Sequence, residues 1–264
     1  MMFIGSLCRK IRVTRPTYLV IAWDGLDAGR WRRELYPPYK ANRGDPGGVA
    51  GIDVLAAMEF CAAAGMLQLD FPAFEADDLL AAVHRARFRE LPGAVLVVCS
   101  DDRDMFQLAD DGTVITGLTT NLTVTPELIK ATWGVAPGYL PYVRALAGDP
   151  SDNIPGLPGV GVKKAVRMLS DAGMEWPLPE AVLPGGPLRP GGSGADRRDL
   201  VAAWQQVMNL LDPPLRPESV YGMGCFSLEP RARWSPEKAT GIGEVLDKYE
   251  LSDLSARNRN GRLW

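Results

Sequence analysis

Two unbroken apolar runs, each closed by an acidic stretch, and a Gly/Pro hairpin between two helical patterns predict an α/β protein. It is read as a parallel-sheet domain over residues 1–136 followed by a helical region over 137–264. Tyr18-Leu-Val-Ile-Ala-Trp23 and Ala94-Val-Leu-Val-Val-Cys99 show no polar alternation, which is how a strand covered on both faces reads. Helical patterns lie between them, and alternation of strand and helix builds a parallel sheet. The third observation is the stretch Gly148-Asp-Pro-Ser-Asp-Asn-Ile-Pro-Gly-Leu-Pro-Gly-Val-Gly161, which joins helices to make a helix–hairpin–helix over about 138–172.

Each element can be justified in turn. Phe3, Ile4, Leu7 and Ile11 share one helical face, so Phe3–Arg12 is a helix. The strand at 18–23 ends in Asp24 and Gly25, and ligands of α/β sheets bind beyond the carboxyl ends of strands. Arg32-Arg-Glu-Leu-Tyr-Pro-Pro-Tyr-Lys-Ala-Asn-Arg43 is an irregular basic and aromatic segment; Tyr36 and Tyr39 are expected to stack on bases and Lys40 and Arg43 to take phosphate. A Gly/Pro-rich loop at 44–51 precedes a helix predicted over Ile52–Leu67, and the span 36–70 forms an arch.

Glu75, Asp77 and Asp78 open the helix that runs to Arg89. Acids there also suit the helix dipole, so plain capping stays open. The second strand ends in Ser100-Asp-Asp-Arg-Asp104, and Val114–Thr116 is a further short strand. Thr125 with Pro126 starts a helix. Helices are predicted over about 138–147, 162–172, 199–211 and 241–257, with a Pro/Gly-rich loop at 176–195 and a basic tail anchored by Trp264.

At 264 residues with 46% hydrophobic content, the chain is long enough for a sizeable core. Cys8, Cys61, Cys99 and Cys225 have no paired spacing, so they read as buried free thiols in a reducing compartment rather than a zinc site or disulfide frame. No apolar run spans a membrane, and a cytoplasmic location is expected. The single histidine, His84, sits in a helical Arg-rich pattern and is expected to pack rather than catalyse.

The net charge of −3 matters less than its placement. Bases gather at Arg30/Arg32/Arg33/Lys40/Arg43, at Arg85/Arg87/Arg89 and at Lys163/Lys164/Arg167, and acids elsewhere. That segregation suits a metal-dependent enzyme on a polyanion, while solvated charged faces remain the plain alternative. Asp24, Glu75/Asp77/Asp78, Asp102/Asp104 and Asp149/Asp152 would meet on one rim of a parallel sheet, where they repel unless cations neutralise them. Oxygen-only ligands select Mg²⁺ or Mn²⁺, and two such ions serve in-line phosphoryl displacement. Gly156, Gly159 and Gly161 are expected at positive φ or close backbone approach, with helix amides turned to phosphate. A nucleotide P-loop is disfavoured, because Val162 and Lys163 stand where Lys and Ser/Thr belong. A plain turn between helices stays open.

ELYPPYKANR (34–43), EADD (75–78), SDDRDMFQL (100–108) and GDPSDNIPGLPGVGVKKA (148–165) occur in this order, and together they resemble the 5′-nuclease family. That family comprises the 5′→3′ exonuclease domain of bacterial DNA polymerase I, stand-alone phage 5′-exonucleases and flap endonucleases. The likeness covers the chain to about residue 170. It implies a PIN-like domain, DNA as substrate with 5′ ends, flaps and RNA primers as targets, a role in replication or repair, a DNA polymerase partner in trans, and a monomer. It also implies metal ligands at Asp24, Glu75, Asp77, Asp78, Asp102, Asp104, Asp149 and Asp152, and base stacking by Tyr39. Lys40 and Arg43 would act on the scissile phosphate, Arg144, Lys163 and Lys164 would grip DNA, and the hairpin glycines would hold K⁺.

The family's first strand, ending in an Asp, has no counterpart before the helix at Phe3. The expectation is therefore that Met1 is an internal methionine of a longer protein; a stop codon directly upstream in frame would refute it. A DNA-structure binder with impaired catalysis, and a small PIN nuclease acting on RNA, are the rival readings. Labelled flap DNA with and without chelator separates the binder, and the YKANR segment and hairpin argue against the RNA nuclease.

Overall fold

The computed structural model describes residues 2–44, 47–120, 122–176, 194–222, 224, 227–229 and 231–264, with backbone alone at 47–52 and 194–196. The chain runs α1 (Met2–Thr14), β1 (Val20–Ala22), α2 (Arg30–Leu35), α3 (Gly47–Ala63), β2 (Leu67–Leu69), α4 (Ala76–Glu90), β3 (Leu96–Cys99), β4 (Thr113–Thr116) and β5 (Thr123–Val124). It continues through α5 (Pro126–Trp133), α6 (Leu140–Ala147), α7 (Val162–Asp171), α8 (Gly194–Met208), α9 (Pro217–Tyr221), α10 (Ile242–Lys248) and α11 (Ser252–Arg259).

The parallel sheet is present but divided in two. β1 pairs parallel with β2, Val20 opposite Leu67 and Ala22 opposite Leu69. β3 pairs parallel with β4, Leu96 opposite Thr113 and Cys99 opposite Thr116, and β5 adds antiparallel. The division corrects the expectation of strands covered on both faces. Only Ile21 in β1 and Val98 in β3 are buried, and Val97 stays 36% exposed; among the described residues β1 pairs only with β2 and β3 only with β4, so each has one edge without a neighbour.

Strand β2 also corrects the predicted helix over 52–67. α3 stops at Ala63, Gly65 turns the chain at φ 65, and Leu67-Gln-Leu69 leaves as a strand. The predicted last helix is likewise two, α10 and α11, broken where Glu250 takes φ 55. Thr125 caps α5 as expected, its hydroxyl accepting from Leu128 N at 3.4 Å with Pro126 next. The loop expected at 176–195 falls almost wholly outside the described residues, as does Cys225.

Three apolar clusters hold the parts. The largest runs from Val98 and Ile115 of the sheet through Val143 and Leu146 of α6 and Leu169 of α7 to Trp204 of α8. A second joins Ile4 and Leu7 of α1 to Phe60 of α3 and Leu246 of α10. The Trp264 ring lies 5.9 Å from Phe60 and 5.2 Å from Trp234, so the tail is anchored as predicted. The third packs Leu79 and Val83 of α4 against Trp31 and Leu69. His84 is buried beside Phe88 and bonds Asp110 at 2.8 Å, a packing role. Among the described residues, no helix is long and apolar enough to cross a membrane.

Candidate active site

The acids of the sequence sort into two kinds, those that hold structure and those that face each other. Asp24, at the end of β1, accepts from Ala76 N at 2.8 Å and so ties that strand to the start of α4. Glu75 is the N-cap of α4, and Asp78 accepts from Glu75 N at 3.0 Å, so the capping reading of this cluster is partly right. Both oxygens of Asp78 are also taken by the Arg32 guanidinium, at 2.7 Å each. Asp78, expected as a metal ligand, is thus engaged by the protein itself and belongs to neither acid group described below.

Arg32, grouped in the sequence with bases suited to a polyanion, is buried instead. It is 2% exposed, and it lies 3.1 Å from Glu75 and donates Nε to Val207 O at 2.7 Å. Burial works against its charge, but Asp78, Tyr39 and Glu75 more than offset that and hold its pKa above the usual arginine value. Arg85 and Arg87 are also structural, paired with Glu218 and Asp110. Nothing in the composition marks Arg32 as buried. Its place directly after Trp31, within a short helix, is the signal available.

The facing acids form two groups of three. Asp77, Asp102 and Asp104 offer oxygens all within 4.8 Å of one another, and so do Asp104, Asp149 and Asp152. Asp104 is common to both. Tight turns fix these groups: Asp102 accepts from Asp104 N at 2.8 Å, and Asp149 from Ser151 N at 2.9 Å. The crowding is costly for Asp77. Burial first, then Asp102 and Glu75, push its pKa from 3.8 to about 7.

Three cations approach these acids. Lys40 Nζ lies 2.6 Å from Glu75 and 3.9 Å from Asp152, and Arg43 Nη2 lies 3.0 Å from Asp152. Burial alone would raise the Glu75 pKa, yet Arg32 and Lys40 bring it below the ordinary value. Arg144 is folded in against Asp104 and Asp149, and burial lowers its pKa. Tyr39 departs from its expected stacking role. Its ring is 3% exposed in the main core, and its hydroxyl donates to Glu75 Oε2 at 2.9 Å. Tyr36 is buried in the same core. Two prolines between these rings turn them inward while Lys40, at φ 52, reaches the acids.

The hairpin joins α6 to α7 and carries the second acid group. Asp149 and Ile154 exchange backbone bonds of 2.7 and 2.8 Å. Gly156 has φ 66, and a Cβ there would sit 2.3 Å from Gly148 N, so this position demands glycine. Gly159 also has positive φ, but Gly161 does not; at φ −95 it is the N-cap of α7. Lys163 and Lys164 follow on the exposed start of that helix. Asn153 escaped the sequence reading. At φ 58 it donates to Pro38 O at 2.7 Å, while Lys40 N donates to Asp152 O at 3.1 Å, and these bonds lock the 36–43 segment onto the hairpin. An Asn inside a Pro/Gly turn is the available hint, since Asn tolerates the left-handed region.

The fold as a whole, a parallel-sheet part joined to a helix–hairpin–helix, matches that of a phage 5′-exonuclease. Zinc-bound T5 5′-exonuclease superimposes with TM-score 0.65 at 17% identity, covering 93% of this chain and 89% of that one. A bacteriophage T5 flap endonuclease, in a pseudo-enzyme–product complex with DNA and metal ions, gives 0.66 at 16% identity over 92% and 89%. The family model described as "5'-3' exonuclease, N-terminal resolvase-like domain" matches residues 1–134, and the chain belongs to that family.

DNA polymerase I of Mycobacterium tuberculosis is 39% identical over 177 residues, 65% of this chain and 19% of the polymerase. The 5′-3′ exonuclease of Aquifex aeolicus is 31% identical over 171 residues, 65% of this chain and 58% of that protein. The matched region is thus a small part of the polymerases and little more than half of the exonuclease.

Proposed function

We propose that the chain is a divalent-metal-dependent 5′-nuclease that hydrolyses phosphodiester bonds near DNA 5′ ends and at 5′ flaps, acting in replication or repair. The observation that carries this reading is the pair of oxygen-only acid groups sharing Asp104, with Lys40, Arg43 and Arg144 against them. Their chemistry fits two Mg²⁺ or Mn²⁺ ions. The donors are all hard carboxylates, and no His or Cys belongs to either group. Asp77, Asp102 and Asp104 would hold one ion, and Asp104, Asp149 and Asp152 the other, with Asp24 and Glu75 at the edge. Such ions activate a water and stabilise the leaving oxygen of an in-line displacement.

The chain's own residues do the rest. Lys40 and Arg43 neutralise Glu75 and Asp152 until a DNA phosphate competes for them, and there they steady developing charge on the scissile group. Arg32 is a positioning residue, aligning Glu75 and Asp78 from behind. Asp78 shapes the start of α4 rather than contacting an ion. Lys163 and Lys164 take duplex phosphates at the amino end of α7, with K⁺ held by the hairpin carbonyls. RNA primers are secondary substrates, and a DNA polymerase is the partner in trans of a monomeric protein in the cytoplasm. The domain division falls near 136, after which the hairpin region supplies both Asp149 and Asp152 and the duplex clamp.

The test uses 5′-labelled flap DNA with Mg²⁺ or with chelator. Cleavage only with metal, lost in Asp102→Asn and Asp149→Asn while DNA is still bound, is the expected result; unchanged turnover in those variants refutes the site. A second reading, a binder that shifts DNA without shortening it, is favoured by Arg144 lying between Asp104 and Asp149, and the same assay separates it.

A further inference from the structure

The two acid groups differ in how the protein answers their charge. Among the described residues Asp77 and Asp102 form no ion pair. The second group is answered at every member. Arg144 sets Nη1 against Asp104 Oδ1 and Nη2 against Asp149 Oδ2. Asp152 Oδ1 has Arg43 Nη2 at 3.0 Å and Lys40 Nζ at 3.9 Å. The other oxygen of Asp149 is engaged within its own turn, accepting from Ser151 N at 2.9 Å and from Ser151 Oγ at 2.6 Å.

Of these cations Arg144 is the one that bridges two members of the group, and its side chain is 16% exposed against 54% for Arg43. It stands in the last turn of α6, directly before the hairpin. Its guanidinium holds the charges that an ion shared by Asp104 and Asp149 would need, so the two compete. Displaced with no substitute anion, a largely buried guanidinium would be left uncompensated, which opposes its release. A phosphate is such a substitute, because a guanidinium meets its oxygens with two parallel N–H donors. Lys163 and Lys164 stand exposed at the other end of the same hairpin, so a backbone gripped there has phosphates close to Arg144.

We propose that Arg144 is a removable counter-ion of the Asp104, Asp149 and Asp152 group, closing it to a second divalent ion in the free protein and exchanging onto a phosphate of bound DNA. The inference rests on the nuclease reading and adds an order to it. Asp77 and Asp102, with no ion-paired cation to displace, take an ion without DNA. The second group takes one as DNA takes Arg144. A group that is open in only a fraction of molecules binds with its affinity reduced by that fraction. DNA and the second ion therefore bind cooperatively, and linkage makes each tighten the other by the same factor.

The test is Mn²⁺ titration of the whole protein, with free Mn²⁺ read by electron paramagnetic resonance to give the constant of each ion. The DNA is a 5′-phosphorylated duplex with phosphorothioate linkages in its 5′ strand, which resist cleavage. In the wild type DNA should tighten the weaker constant about tenfold or more, and Mn²⁺ should tighten DNA by the same factor. Arg144→Met should bring that constant close to its DNA-bound value without DNA, and shrink the coupling below about threefold. Arg43→Met removes the same charge from Asp152 but leaves the Arg144 bridge, so it should shift the constant less than about threefold. An effect as large as that of Arg144→Met means that charge alone acts, and overturns the proposal. So does equal binding of both ions to the free wild type, a result that depends on no variant folding. Asp149→Asn should abolish the weaker constant; loss of the tighter one instead also overturns the assignment. No Mn²⁺ bound with or without DNA overturns the nuclease reading as well, whereas Mn²⁺ binding that ignores Arg144 overturns this inference alone.

Discussion

Asp77→Asn should make the metal-free protein more stable at pH 8, which is unusual for a change in the centre of a site. Asp77 shares a space of 4.8 Å with Asp102 and Asp104. Two carboxylates at that distance repel by about 3 kcal/mol at an effective dielectric of about 20. The folded protein meets this by pushing the Asp77 pKa to about 7 from 3.8. Between these two values the folded state keeps a proton that the unfolded state has released. Stability therefore falls as pH rises through the window, and the whole penalty is present above it.

Partial solvent access at Asp77 screens the penalty, so a gain of roughly 2 kcal/mol is expected for Asn at pH 8. The lost attraction to the α4 dipole, about 0.5 kcal/mol, is too small to reverse it. The gain corresponds to a melting temperature higher by about 4–8 °C. The assay is thermal denaturation in chelator at pH 4 and pH 8, repeated with Mn²⁺. The substitution should be nearly neutral at pH 4, stabilising at pH 8, and should shrink the Mn²⁺-induced shift. A loss of stability at pH 8, or the same difference at both pH values, refutes the crowding argument.

Arg32→Met should cost about 3–5 kcal/mol in urea denaturation, since it leaves Asp78 buried with no countercharge; a cost under 1 kcal/mol would mean water replaces the guanidinium. Gly156→Ala combines positive φ with a 2.3 Å approach to Gly148 N and should destabilise by about 2 kcal/mol or more and displace Asp149, which differential scanning and Mn²⁺ titration would detect. Lys163→Ala with Lys164→Ala should lower duplex affinity and reduce the log–log salt slope by about 1.8, read by fluorescence anisotropy; an unchanged slope removes these lysines from the interface. Tyr39→Phe should leave base stacking unaffected yet raise the Glu75 pKa by removing a donor, seen as weaker Lys40–Glu75 pairing in a carboxyl-resolved titration.

Most of the acids that face one another are legible in the sequence. Acids at strand ends and a Gly/Pro turn are local signals, and Asp102, Asp104, Asp149 and Asp152 were identifiable because turn chemistry and strand termination depend on neighbours in sequence. The α5 cap and the anchored Trp264 were readable for the same reason. Tertiary structure decided which charges face one another. Asp78 and Asp77 are adjacent in sequence, yet one is locked to Arg32 from α2 and the other is crowded by Asp102. Tyr39 and Lys40 are adjacent too, and the chain turns one into the core and the other toward the acids.

Partners of that kind lie tens of residues away, and their choice depends on packing and desolvation that no local pattern encodes. The division of the sheet belongs to the same class. Each apolar run by itself determined a strand, but only the tertiary structure decided that β1 pairs with β2 and β3 with β4, because a strand's neighbours are set by the whole chain.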